Sequence, residues 1–289
     1  MQDYVLFTDS CSDIPADLAQ EFGVIVVPLQ FSIDGQDYYD DPLNRDLSQE
    51  DFYAKMRQGH RAITAQVTTP SFVEMFEPVL QRGQDLLYLG FSSKISGTYS
   101  SSYIAAQELA PKYPDRTILT IDTKTASTGL TLLLDLAHQQ KKQGKTIQEL
   151  YDWVLAQLPH ISHWFTVDDL IYLKRGGRVS SFEAVIGKTL NIKPIIHVDN
   201  EGALIPVGKV RGRRQSLDTL VRKVVDFCVD PTQPVYIAHA DAYEDALAME
   251  KSLRACLPVQ DVHIDYIGPV IGAHVGPGAV TLFFVGKER

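Results

Sequence analysis

The chain has 289 residues, a length that accommodates two domains of ordinary size. Hydrophobic residues make up 45% and charged residues 22%, which allows a real core and excludes a disordered or fibrous chain. The net charge of −9 argues against nucleic acid or an anionic membrane surface as the partner of the chain as a whole.

Met1-Gln2-Asp3-Tyr4 lacks the basic-then-apolar pattern of a signal peptide, and no apolar run reaches the ~20 residues of a membrane span. Val5-Leu6-Phe7 reads as a short buried strand ending in Thr8-Asp9-Ser10. Asp13 and Pro15 stand where a helix cap and an early helical residue belong, ahead of Leu18 and Phe22, and Gly23 stops the helix. Residues 24–29 form a second, β-branched strand. Strand, loop, helix and strand in this order predict a parallel α/β layer, in which ligands gather at the carboxyl ends of strands. Asp9 is then either a rim residue or a turn-forming carboxylate.

Residues 34–51, rich in Asp, read as a solvated loop leading into a helix capped by Ser48. Thr69 with Pro70 predicts the cap and first position of the next helix, whose Phe72, Met75, Phe76, Val79 and Leu80 make an apolar stripe. Pro78 should kink that helix or end its regular hydrogen bonding. The stripe suits a core, or the wall of an apolar pocket near Thr64.

Asp85 to Gly90 is another buried strand, followed by residues 91–103, FSSKISGTYSSSY. Tyr99, Tyr103, Ala106 and Ala110 recur at helical spacing, so a helix starts near Ser96-Gly97-Thr98. A helix start carrying hydroxyls and a glycine suits a carboxylate or phosphate; alternatively Ser96 or Thr98 simply caps it. Residues 117–121 are a strand, Leu130, Leu133, Leu134 and Ala137 a helical stripe, and Thr146 with Glu149 a capping box. Residues 1–158 thus read as an N-terminal doubly wound, Rossmann-like parallel-sheet α/β domain.

Residues 159–289 read as a second α/β domain with a mixed or antiparallel sheet and helices on one face. Its strands are expected at 165–167, 193–198, 203–210, 235–238, 262–267 and 280–285, with helices at 216–229 and 243–256. Asp199-Asn200-Glu201-Gly202 is a hairpin signal between two of the strands. Cys11, Cys228 and Cys256 are too few and scattered for a disulfide framework, so a cytoplasmic protein is expected.

The chain has no G-x-S-x-G elbow, Walker A loop or G-x-G-x-x-G fingerprint. His160 and His163 match metal spacing only loosely, and no metal site is expected. Three stretches are denser in chemistry. Residues 173–180 (LKRGGRVS) set paired glycines between basic residues, so that Arg178 can be aimed at one point. Residues 209–214 (KVRGRR) are a basic cluster, open to the readings of a solvated face, a partner surface or, remotely, DNA association. His274-Val275-Gly276-Pro277-Gly278 reads as a rigid loop before the last strand. Ser96 with His274 would make a nucleophile–base pair in a serine-dependent acyl hydrolase.

Six motifs in order resemble the DegV family over nearly the whole chain. They are Thr8-Asp9-Ser10, Thr64-Ala65-Gln66, Ser92-Ser93-Lys94-Ile95-Ser96-Gly97-Thr98-Tyr99, Lys174-Arg175-Gly176-Gly177-Arg178, Lys209-Val210-Arg211 and His274-Val275-Gly276-Pro277-Gly278. The family comprises fatty-acid-binding proteins, including the binding subunit of bacterial fatty acid kinase. Ala65 stands where many members carry serine and Val67 where proline is common; neither departure removes the Thr64 hydroxyl. The resemblance implies two α/β domains with a long-chain fatty acid buried between them and no other cofactor. It implies that Thr64 and Ser96 hold the carboxylate, with the Gly97 N–H as a third donor. It also implies Arg178 and His274 near the head group and Arg211 at a docking position. A separate kinase would make the acyl phosphate, so this chain is expected to be a binding subunit rather than an enzyme.

Overall fold

The computed structural model describes residues 4–178 and 191–289; Val179 and Ser180 of the glycine-paired motif lie outside the described residues. Strand β1 (Tyr4–Asp9) is buried almost throughout, as befits a central strand of a sheet covered on both faces. Helix α1 (Ala16–Phe22) is ended by Gly23 in the left-handed conformation, and β2 (Val24–Val27) returns beside β1. There follow β3 (Leu29–Ile33), β4 (Gln36–Asp40), α2 (Gln49–Arg57), β5 (Ala62–Ala65), α3 (Thr69–Gln81), β6 (Asp85–Gly90), α4 (Thr98–Leu109), β7 (Ile118–Asp122), α5 (Thr128–Lys142) and α6 (Ile147–Gln157). Strands β2-β1-β6-β7, in that order, make a four-stranded parallel sheet.

Several local signals act as expected. Ser48 caps α2 by accepting from Asp51 N, and Thr146 and Glu149 form the reciprocal capping box of α6. Others need correction. The single strand expected over residues 24–29 is broken at Pro28, which has no N–H for a ladder, and β2 and β3 belong to different sheets. The loop expected over residues 34–51 contains β4, which pairs with β3 through a two-residue Asp34-Gly35 turn with φ of 58° and 76°. With β5 these strands form a three-stranded antiparallel sheet, β4-β3-β5.

Helix α3 is capped by Thr68 rather than Thr69. It runs through Pro78 to Gln81: the proline forfeits the one bond that an N–H would make to Glu74 O, while its own carbonyl still accepts from Arg82 N. Its stripe is core: Phe72 and Phe76 pack with Phe7 and Tyr88 and do not wall a pocket. Helix α4 buries Ser101, Ser102, Ala105 and Leu109, leaving Tyr103 half exposed, so its small residues rather than its tyrosines face inward.

The second half comprises β8 (Ile161–Thr166), α7 (Ile171–Gly176), β9 (Ile192–Val198), β10 (Leu204–Arg211), α8 (Arg213–Phe227), β11 (Val235–His239), α9 (Tyr243–Cys256), β12 (Val262–Tyr266), α10 (Pro269–Val275) and β13 (Val280–Val285). Its six strands run in the order β10-β9-β8-β13-β11-β12, antiparallel except for β11 with β12. The Asp199-to-Gly202 turn joins β9 to β10 as expected, with Asp199 N bonded to Ala203 O.

Helices α8 and α9 cover one face of this sheet, where Leu220, Val224, Met249 and Leu253 meet Ile237 and Leu282. The opposite face is not bare. Leu130 to Leu136 of α5 pack in one cluster with Tyr236, Phe283 and Val285, and Tyr236 Oη donates to Asp135 Oδ2 at 3.0 Å. Helix α5 is therefore a layer common to both large sheets, and helices lie on both faces of the second. The chain is an α/β protein with a parallel-sheet N-terminal domain and a mixed-sheet C-terminal domain. Among the described residues, no helix is long and apolar enough to cross a membrane.

Candidate functional site

The carboxyl end of β1 builds the loop that follows β6. Asp9 accepts from Phe91 N at 3.0 Å, Tyr88 Oη at 2.5 Å and Cys11 N at 3.1 Å. Burial raises its carboxyl pKa, while those donors pull the other way. Asp9 is thus a turn-forming residue that fixes where residues 91–97 begin. The rest of that loop is pinned by Ser92, whose hydroxyl donates to Gly202 O at 2.9 Å, and by Ser93, bonded to Asp122. The hairpin of the second domain thereby touches the loop of the first.

Ser96 and Gly97 arrive at the start of α4. Ser96 Oγ accepts from Thr98 N at 3.2 Å and lies 2.9 Å from Thr98 Oγ1. The Gly97 N–H has no hydrogen-bond partner among the described residues. A Cβ on Gly97 would collide with the carboxamide of Gln66, and Thr98 Oγ1 accepts from Val67 N at 3.3 Å. The stretch around Thr64 is in this way clamped against the start of α4. Strand β5, which presents Thr64, also pairs Thr64 with Phe31 across the small sheet.

His274 lies in the last turn of α10, not in a loop as its sequence suggested; the Gly-Pro-Gly that follows ends the helix. Its Nε2 is 2.8 Å from Thr64 Oγ1. Its Nδ1 has no partner among the described residues and abuts Gly176, where a Cβ would fall 3.3 Å from the ring carbons and closer still to Nδ1. Gly276, at φ 76°, likewise leaves room for the Tyr172 ring. The two glycine motifs therefore interlock, α7 against α10, and that contact orients the imidazole. Burial, and secondly the charge of Arg178, pull its pKa down to about 4, so the ring is neutral near pH 7. Arg178 reaches back across the loop, donating through Nε to Ile95 O at 3.2 Å and through Nη1 to Gly176 O at 2.6 Å.

Thr64, Ser96, Gly97, Arg178 and His274 all line one cavity of about 270 Å³ between the sheets. The rest of its wall is largely apolar, with Leu29, Phe91 and Ile95 from the first domain and Phe165, Leu204 and Phe283 from the second. Sequence reasoning missed these wall residues, together with Cys11 and His163: Phe91 and Ile95 sit in a stretch read for its polar residues, and the others come singly from separate elements and carry no local motif. His163 also departs from the metal-like pair. It bonds Thr125 Oγ1 at 2.7 Å, whereas His160 Nδ1 meets Gly286 O, and burial drives the His163 pKa well down.

Arg211 is not brought to this cavity. It ends the edge strand β10, roughly 20 Å along the strand from the cavity residue Leu204. It has no ion-pair partner among the described residues, whereas Arg213 pairs with Asp245. A Ser96–His274 catalytic pair is not formed. The imidazole is bonded to Thr64, the serine to Thr98, and among the described residues no carboxylate orients Nδ1.

The site belongs to a class of two-domain α/β proteins that enclose an apolar cavity between their sheets, with hydroxyls and an arginine at its polar end. A family model described as an uncharacterised protein of the DegV family matches residues 4–287, and the chain belongs to that family. A DegV domain-containing protein of Clostridium perfringens is 43% identical over 290 aligned positions, covering 100% of this chain and 99% of that one. Among solved structures, a DegV lipid-binding protein from Thermotoga maritima is similar at 28% identity with a TM-score of 0.86, covering 99% of each chain. A DegV family protein from Thermus thermophilus, described by its fatty acid binding, is similar at 26% identity and a TM-score of 0.87, covering 99% of this chain and 100% of that one.

Proposed function

We propose that this chain binds a long-chain fatty acid in the cavity between its sheets and presents the carboxylate to a partner kinase. The observation that carries the reading is the cavity itself: a largely apolar wall with Thr64, Ser96, the unpaired Gly97 N–H and Arg178 gathered in one polar clamp. Similarity to the Thermus thermophilus fatty-acid-binding structure supports it. Burying a tail of about 16 carbons at ~0.8 kcal/mol per CH₂ is worth on the order of 10 kcal/mol before ordering costs. Each charge-assisted hydrogen bond at the head adds ~1.5–3 kcal/mol. The tail supplies affinity, and the clamp decides which end stays at the loop.

In the transfer, a carboxylate oxygen attacks the γ-phosphorus of ATP held by the kinase. The bond to the ADP oxygen breaks, and acyl phosphate and ADP result. This chain contributes no reacting group; Arg178 and His274 flank the head group, and Arg211 faces the kinase. No observation favours the hydrolase alternative.

The test is mass spectrometry of an organic extract from natively purified protein, followed by titration of the delipidated protein with palmitic acid. A co-purifying fatty acid and saturable one-to-one binding are expected. The absence of both an extracted acid and palmitate binding would overturn the reading.

A further inference from the structure

A second cavity adjoins the first, and the fatty-acid reading leaves it unused. It measures about 390 Å³ and shares Thr64, Arg178 and His274 with the first, so the polar clamp is the partition between them. Its wall adds Arg61, Arg175 and His60, and among the described residues no carboxylate lines it. In a chain of net charge −9, that is a local inversion of sign. His60 is paired with Asp34, but the side chains of Arg61 and Arg175 make no hydrogen bond or ion pair with any described residue. Among the described residues Arg178 donates only to two carbonyls.

Three guanidiniums around one cavity repel one another unless an anion lies between them. Their forked donors match tetrahedral oxyanions, which they bind bidentately. A bound carboxylate alone would be satisfied by Thr64, Ser96 and Gly97 and would leave Arg61 and Arg175 idle. Phosphorylation changes the geometry: one carboxylate oxygen becomes the bridging oxygen, and a phosphoryl group with two negative charges extends beyond it, away from the tail. The space beyond the clamp is this second cavity.

We propose that Arg61 and Arg175 form a phosphoryl subsite that holds the acyl phosphate product in place after transfer, a proposal that rests on the fatty-acid reading. Arg61 precedes β5 and Arg175 lies in the last turn of α7, so two separate elements supply the subsite.

The experiment compares two probes on delipidated full-length protein: palmitic acid, and its β-ketophosphonate analogue, in which a methylene replaces the bridging oxygen so that the probe does not hydrolyse. Arg61→Ala and Arg175→Ala, both exposed positions, should each weaken the phosphonate about tenfold and leave palmitic acid within about twofold of wild type. If both variants bind the phosphonate like wild type, or lose both probes equally, the subsite is overturned while the fatty-acid reading stands. If wild type binds no palmitic acid, both fall. A third arm adds Mg·ATP to palmitate-loaded protein. ATP binding that depends on Arg61 and Arg175 would assign the cavity to the nucleotide's phosphates and overturn the product assignment.

Discussion

Substituting alanine for Gly176 tests whether the interlock of α7 and α10 orients His274. The new Cβ would stand 3.3 Å from Cγ and Cε1 of the imidazole and well inside that distance from Nδ1. Either the ring retreats or the helices part. Retreat by about an ångström breaks the 2.8 Å contact with Thr64, a loss of about 1 kcal/mol. Overpacking of a tight helix contact adds roughly 1–3 kcal/mol. Against this, alanine gains up to about 1 kcal/mol over glycine at a helical position. A net loss of roughly 1–3 kcal/mol remains, several degrees in the midpoint of thermal unfolding followed by circular dichroism. Gly208→Ala is the control, since its Cβ meets nothing within 4 Å and its φ is not positive. Imidazole NMR should show the His274 resonances of Gly176→Ala displaced, while palmitic acid binding, dominated by the tail, falls less than about tenfold. A variant as stable as wild type with unshifted His274 resonances would refute the interlock.

Asp40, buried beneath α10 beside Asp9, Asp13 and Asp41, accepts from Val270 N and has its pKa raised from 3.8 to about 7, chiefly by burial. Between those values the folded chain keeps a proton that the unfolded chain releases, so stability falls as pH rises through the window. At about 1.36 kcal/mol per pH unit the interval from 3.8 to about 7 is worth roughly 4 kcal/mol. Asp40→Asn, which keeps the acceptor, should be the more stable protein in urea melts at pH 8 and converge with wild type near pH 4; a pH-independent difference would contradict this. Ser96→Ala should weaken palmitic acid binding about tenfold or less but slow kinase-dependent acyl phosphate formation more, and equal near-total loss of both would count against the clamp. Arg211→Ala should slow association with an acidic kinase surface, a defect that shrinks as salt rises; a salt-independent defect would sink the steering role.

What was legible in the sequence followed from local rules. The parallel layer emerged from β1, α1 and β2, and the caps at Ser48 and Thr146 are chemical signals with one geometric meaning. The small sheet was not legible, although it carries Thr64. Gln36–Asp40 is polar and Ala62–Ala65 only four residues long, so neither shows an apolar alternation in its sequence. The Asp34-Gly35 turn was the available signal. The helical placement of His274 was hidden because α10 opens with proline and contains glycine, which read as loop residues. Each polar residue of the clamp could be named from motifs, because each lies within one of the six motif stretches, whereas Arg211, also in a motif, lies away from the cavity. The cavity wall could not, since its side chains are core-like until the sheets are set face to face.

The neutral state of His274 gives the clamp a direction. Among the described residues the buried Nδ1 has no partner in either tautomer, so what decides between tautomers is the bond at Nε2. If the Thr64 hydroxyl donated to Nε2, its oxygen would turn lone pairs toward the cavity and repel a carboxylate. If Nε2–H donates to Thr64 Oγ1, the hydroxyl proton is free to point at the ligand. A carboxylate therefore selects the Nε2–H tautomer, and the imidazole acts through the threonine rather than as a charge. The standing cation beside the imidazole is Arg178, whose field helps to keep His274 neutral. Removing Arg178 would then do two opposed things: delete one positive charge and make it easier for His274 to acquire another. The two residues are coupled, and their effects on carboxylate affinity should fall short of additive below about pH 6.5, where an unperturbed imidazole begins to protonate.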